Sequence, residues 1–261
     1  MPPRTAATDI TRRIENGLPL HKSPPAVEKV AEASLEPQTV SGRPRIALVI
    51  DDMGFDRANS RWAVRLPPEV TLAYLPFAPG AAAQVRAARL KGHQVMLHLP
   101  MEAPDHKGKP GNNVLAVTDD ETALHRRLTR IPGQFGGYTW VNKHMGSRFT
   151  RDRARMDIVL SELKKRGLYF LDSRTSGRSV AAESATAIGI PYAVRDVFID
   201  HEPAPSTIRE QLAKTERIAR QTGQAIAIGH PRKSTIDVLT PWVQGLACRG
   251  LDLVRVDTLL K

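Results

Sequence analysis

From Arg45 onward the chain alternates short β-branched or apolar runs with segments of helical spacing, and no other feature restricts its fold as strongly. The runs RIALVI (45–50), VTLAYL (70–75), QVMLHL (94–99), YTWVN (138–142), LYFLD (168–172), AVRDVFI (193–199), AIAIG (225–229) and LDLVRV (251–256) read as strands. Helical patterns fill 57–66, 79–91, 119–130, 151–166, 179–188, 206–222 and 233–248. Strands separated by helices cannot pair as hairpins; they pair in parallel and are buried on both faces. With seven or eight such units and no glycine-rich phosphate loop behind the first strand, a parallel α/β barrel is favoured over an open sheet. Residues 45–261 then form a single domain. Residues 1–44 hold seven of the 20 prolines and little apolar periodicity, and read as a disordered or linker segment.

Polar residues collect where these strands end. Asp51 and Asp52 close the first strand, His98 the third, Asn142 and His144 the fourth, Asp172 the fifth, Asp200 the sixth and His230 the seventh. In a parallel barrel all such ends meet on one face, where active sites lie. Charges buried there for stability alone would cost several kcal/mol unless paired or bound to metal. The pattern therefore reads as an active site.

Aspartate and histidine without cysteine suit a divalent metal, zinc above all, with an open position for water. A second carboxylate can serve as general base and a histidine opposite as general acid. The bland alternative for Asp51 and Asp52 is capping of the next helix; for Asp172 it is an ion pair with Arg174.

Five segments resemble the divergent polysaccharide deacetylases: IALVIDDMG (46–54), LHLPME (97–102), VNKHMGSRFT (141–150), YFLDSRT (169–175) and IAIGHP (226–231). The resemblance implies a distorted (β/α)7-type barrel and metal-dependent removal of N- or O-linked acetyl groups from a carbohydrate. Carried over by position, it makes Asp51 the catalytic base, Asp52 and His98 metal ligands, and His230 the general acid. Asp172 falls near a carboxylate that orients that histidine or contacts substrate. The family pairs two histidines four apart in its second motif, whereas this chain has Glu102 at the later position. The third ligand to Zn2+ is therefore His144 or Glu102, with His144 preferred. Asn142, Ser147 and Arg174 are candidate substrate contacts, Gly146 permitting a close backbone approach at the loop. The implied partner is an acetylated glycan in the periplasm or another extracytoplasmic space. The alternatives are a weakly catalytic carbohydrate-binding module and a barrel hydrolase of another amide or a phosphoester.

The net charge of +11 is scattered, with no groove-like run of bases and aromatics, so nucleic acid is not an expected partner. No stretch is long and apolar enough to span a bilayer. Trp140 is the tryptophan nearest a strand end and so a candidate sugar platform. Asp200 reads as a supporting group, and His21, His93, His106 and His125 as surface residues. Cys248 reads as a small core residue, Thr118 as a helix N-cap, and the loop 103–117 as a possible groove wall.

Overall fold

The computed structural model describes residues 42–104 and 113–260. The proposed disordered segment 1–44 lies outside these residues except at its end. There Arg43 faces Asp252 at 3.3 Å, and the Pro44 carbonyl accepts from Asp252 N–H, so both already belong to the domain.

Among the described residues, nine parallel strands form one sheet: β1 Arg45–Met53, β2 Thr71–Tyr74, β3 Val95–Met101, β4 Trp140–Met145, β5 Tyr169–Asp172, β6 Tyr192–Val194, β7 Val197–Phe198, β8 Gln224–Gly229 and β9 Asp252–Val254. Their order is β6-β5-β4-β3-β2-β1-β8-β7, with β9 beside β1. The α-helices described between them are α1 Arg57–Ala63, α2 Ala81–Leu90, α3 Glu121–Arg130, α4 Arg153–Lys165, α5 Ala181–Ile188, α6 Pro205–Thr222 and α7 Lys233–Gln244. The two outer strands of this order, β6 and β7, are consecutive in the chain. The segment 192–198 pairs first with β5 (Leu171 with Ala193) and then with β8 (Val197 with Ala227). Between the two ladders Arg195 N–H still bonds Asp172 O, and Asp196 N–H has moved to Ile226 O. One crossing segment thus completes the distorted barrel, and the single strand read at 193–199 is two short ones.

Alternation along the strands separates two cores. The inward row consists of Ala47 and Val49, Ala73, Met96, Trp140, Leu171, Ala193, and Ile226 and Ile228, one or two residues from each staved position. Val256 and Leu259, in a turn just after β9, join this row. Because β9 pairs with the first three residues of β1, that turn plugs the N-terminal end of the barrel. The outward row, including Leu48, Ile50, Leu97, Val141 and Phe170, packs against the helices. Trp140 is fully buried at the start of β4, so it cannot serve as a sugar platform.

Helix starts follow local chemistry. Asp56, Asp120 and Asp152 accept from the backbone N–H groups of Asn59, Ala123 and Arg155, capping α1, α3 and α4. Asp56 takes the capping role considered for Asp51 and Asp52. The cap of α3 is Asp120 rather than Thr118, leaving Asp119 to bond Ala116 N–H and Arg127. His93 is buried, its ring nitrogens 2.9 and 3.2 Å from the carbonyls of Val70 and Val64, so it ties α1 to β2 and is not a surface residue. Cys248 is exposed in a short turn after α7, not part of the core.

Truncating the barrel plug should expose its dependence on this packing. Leu259→Ala is expected to lower unfolding free energy by about 2–5 kcal/mol in urea titrations, as for other buried leucines, while leaving the opposite, polar end of the barrel intact.

Candidate metal centre and active site

Continuing the inward row toward the C-terminal strand ends replaces apolar residues by polar ones. The rows 47-49 on β1, 96 on β3, 140 on β4 and 226-228 on β8 run on to Asp51, to His98, to Asn142 and His144, and to His230. They meet at a cavity of about 410 Å3 lined by Asp51, Asp52, His98, His144 and His230 among others.

Asp52 breaks the alternation. On an extended strand it would face away from Asp51, but its φ is +55 and the β1–β2 register shifts between Ile50 and Met53. This local left-handed turn brings two successive carboxylates to the same cavity. Met145 (φ +58) and Arg174 (φ +43) are the other non-glycine residues with positive φ among those described, and both also line it. Each such conformation costs on the order of 1–3 kcal/mol, less for Asp, and persists only where surroundings hold it. Gly146, at φ +78, follows Met145, and a Cβ there would stand 3.0 Å from that of Met101.

Asp52 Oδ1, His98 Nε2 and His144 Nδ1 form a tight triangle with sides of 2.7, 3.1 and 3.2 Å. Ligands on a tetrahedral zinc with bonds of 2.0–2.1 Å are separated by about 3.3 Å, so a slight opening suffices to admit the ion. One oxygen and two imidazole nitrogens are a donor set suited to zinc or a similar divalent cation. Behind the triangle, His98 Nδ1 lies 2.7 Å from Asn142 Oδ1, and Asn142 Nδ2–H donates to Asp51 Oδ1, also at 2.7 Å. The amide oxygen can only accept, so His98 Nδ1–H donates to it, and Nε2 is the nitrogen that faces Asp52 and would meet a bound ion. Asn142, fully buried, is therefore an orienting residue and not the substrate contact expected from sequence. Burial opposes ionisation of Asp52, but hydrogen bonds from His144 and His98 outweigh it and hold the carboxyl far below its ordinary range. Burial pushes the Asp51 carboxyl up, against the charges of His98 and His230 and the Asn142 bond.

His230 stands opposite, its Nε2 3.6 Å from Asp52 Oδ2. Its Nδ1 lies 3.0 Å from Asp200 Oδ1, and its backbone N–H donates to Asp200 Oδ2 at 2.8 Å. Thr235 Oγ1 donates to the same oxygen. Burial favours the neutral ring, yet the Asp200 bond and the surrounding carboxylates raise its pKa above the ordinary value.

The carboxylate that orients His230 is thus Asp200, and Asp172 does not have this role. Asp172 sits on the outward row of β5, where it accepts from Arg174 N–H and Ser179 Oγ–H and shapes the following turn. Glu102 is likewise no member of the centre: it accepts from Val117 N–H and Arg148, pinning the end of the long loop. Ser147 is half-buried but is not among the residues lining the cavity, whereas Arg174 is. The groove expected from 103–117 falls largely on 105–112, outside the described residues. Sequence reasoning missed Lys143, Arg195 and Phe198, which also line the cavity. Lys143 is buried and bonds Thr175 Oγ1 at 2.6 Å; burial draws its ammonium down to about 8 despite the nearby Asp172. Phe198 meets the His230 ring edge-on at 5.3 Å and is the aromatic side chain of this cavity.

The fold is a (β/α)7 barrel of the polysaccharide deacetylase type. Residues 48–260 match the family model described as divergent polysaccharide deacetylase, and the chain belongs to that family. It is 34% identical over 220 residues to the uncharacterized Escherichia coli K12 protein YibQ, covering 83% of this chain and 67% of that protein. The crystal structure of an uncharacterized protein from Agrobacterium tumefaciens C58 superposes with a TM-score of 0.81 at 32% identity, over 85% of this chain and 92% of that one. The catalytic domain of a peptidoglycan N-acetylglucosamine deacetylase from Eubacterium rectale shares the fold, with a TM-score of 0.50 at 14% identity over 85% and 93% of the two chains.

After equilibration with zinc and removal of excess, elemental analysis should find about one ion per chain. His144→Ala should lose it and Glu102→Gln should keep it. Zinc retained by His144→Ala at wild-type affinity would remove His144 from the centre.

Proposed function

We propose that this protein is a metal-dependent hydrolase that removes acetyl groups, N- or O-linked, from a carbohydrate. The observation that carries this reading is the convergence of the Asp52–His98–His144 triangle with a buried carboxylate, Asp51, on one side and an Asp200-bound imidazole, His230, on the other. The family to which the chain belongs supports it.

A divalent cation held by Asp52 Oδ1, His98 Nε2 and His144 Nδ1 would supply Lewis acidity toward a water and an acyl carbonyl. Asp51, whose carboxyl burial raises above its ordinary pKa, is placed to take the proton from that water. Asn142 holds Asp51 and His98 in fixed relation, so base and ligand move together. His230, whose protonated form the Asp200 bond favours, delivers its Nε2 proton to the departing sugar nitrogen or oxygen. Phe198 offers a ring face or edge beside that histidine for the sugar. An acetylated glycan of the cell envelope as substrate would have the protein act in the periplasm or another extracytoplasmic space.

Acetate release from N-acetylglucosamine oligomers and O-acetylated xylan, with zinc, cobalt or manganese supplied, tests the reading. His230→Ala should retain metal while turnover falls roughly 10²–10⁴-fold. Asp200→Asn should lower turnover in the same direction without loss of metal. Absence of acetate release by the wild-type protein from every acetylated glycan, with any of these metals, would overturn the proposal.

A further inference from the structure

Three cationic side chains line the cavity without a part in the reaction just described: Lys143, Arg174 and Arg195. Two of them are fully engaged. Lys143 Nζ donates to Thr175 Oγ1 and to the Met145 carbonyl, and faces Asp172 Oδ1 at 3.9 Å. The Arg195 guanidinium donates to the carbonyls of Ser173 and Arg174, at 2.5 and 2.8 Å, and lies over the Phe198 ring at 5.2 Å.

Arg174 is different. Its backbone is anchored at both ends, its N–H donating 2.8 Å to Asp172 Oδ1 and its carbonyl accepting from Arg195. These contacts hold it at a φ of +43, a conformation an arginine does not adopt unaided. Its guanidinium, by contrast, makes no hydrogen bond or ion pair with the described residues, and the residue is exposed at the rim of the cavity it lines. The two carboxylates of the cavity are committed elsewhere, Asp51 to Asn142 and Asp52 to His98 and His144. A strained, doubly anchored turn that holds an unengaged guanidinium beside a reactive centre has the form of a recognition element.

We infer that Arg174 is the anion-recognition residue of this site, and that the sugar accepted there carries a carboxylate or a phosphate near its acyl group. The inference rests on the hydrolase reading for the reaction but not for the binding step. A guanidinium meets either anion through two parallel N–H donors, a geometry that a neutral sugar cannot return. Lys143 and Arg195 add positive potential from behind, and the partly enclosed cavity screens it less than open solvent would. The chain's net charge of +11 acts in the same sense during encounter.

Calorimetric titration of the zinc-loaded protein with three unacetylated probes tests this: tetragalacturonate, glucose 6-phosphate and neutral cellotetraose. The wild-type protein should bind at least one anionic probe more tightly than cellotetraose. Arg174→Ala should weaken that anionic binding roughly 10–100-fold, with cellotetraose and zinc content unchanged. Arg174→Lys, which keeps the charge and loses the fork, should fall between the two. The probe that suffers the larger loss identifies carboxylate or phosphate as the natural anion. Equal anionic affinity in wild type and Arg174→Ala would overturn the inference, because binding would then run through the metal or the other cations. So would a wild-type protein that does not prefer an anion. Acetate release is scored separately: anion preference without acetate release leaves this inference standing and sinks the hydrolase reading, and the reverse result does the opposite.

Discussion

Parallel pairing is the constraint from which the rest of this molecule follows. Because every strand of the barrel runs the same way, every C-terminal end lies at the same mouth. Because side chains alternate, one row from each strand faces the lumen throughout its length. The lower part of that row is alanine, valine, leucine, isoleucine, methionine and Trp140, closed beneath by Val256 and Leu259. Its upper part is Asp51, His98, Asn142, His144 and His230. A dry, packed base thus supports a polar mouth, and the cost of burying ionisable groups is offset by their bonding to one another.

The alternation is also broken, and the breaks lie at the site. Asp52 turns into the cavity through a left-handed φ, Met145 follows His144 in the same conformation, and Arg174 follows Asp172 and Ser173. Surrounding bonds fix the last two: Thr175 Oγ–H donates to the Met145 carbonyl, and Arg195 holds those of Ser173 and Arg174. Strain is concentrated where the geometry must differ from that of a plain strand, and the neighbouring network keeps it in place. Asp200 shows the same economy on the other side: one carboxylate secures the ring, the backbone amide of His230, and Thr235 of α7.

How far the site was legible depended on whether a residue followed the strand period. His98, Asn142, His144 and His230 continue inward rows that begin with apolar residues, so their convergence could be read once the strands were placed. The same count, carried through β5, puts Leu171 inward and Asp172 outward, which is why Asp172 shapes a turn and does not touch His230. Asp200 could not be counted in this way, because the segment 192–198 changes partners at Arg195-Asp196 and the period is lost there. Lys143, Arg195 and Phe198 carried no separate signal: a lysine in a strand and an arginine before an aspartate ordinarily face water.

The sequence by itself determined the alternating architecture, the family and the end of the barrel that carries the polar groups, since these depend on hydrophobic period and residue type, both local properties. Only the tertiary structure decided which carboxylate serves which histidine, which of Glu102 and His144 joins Asp52 and His98, and how two adjacent aspartates come to share one cavity. Those outcomes turn on a register shift, three left-handed residues and a strand that changes partners. Each is set by contacts between segments tens of residues apart, whose geometry no local pattern encodes.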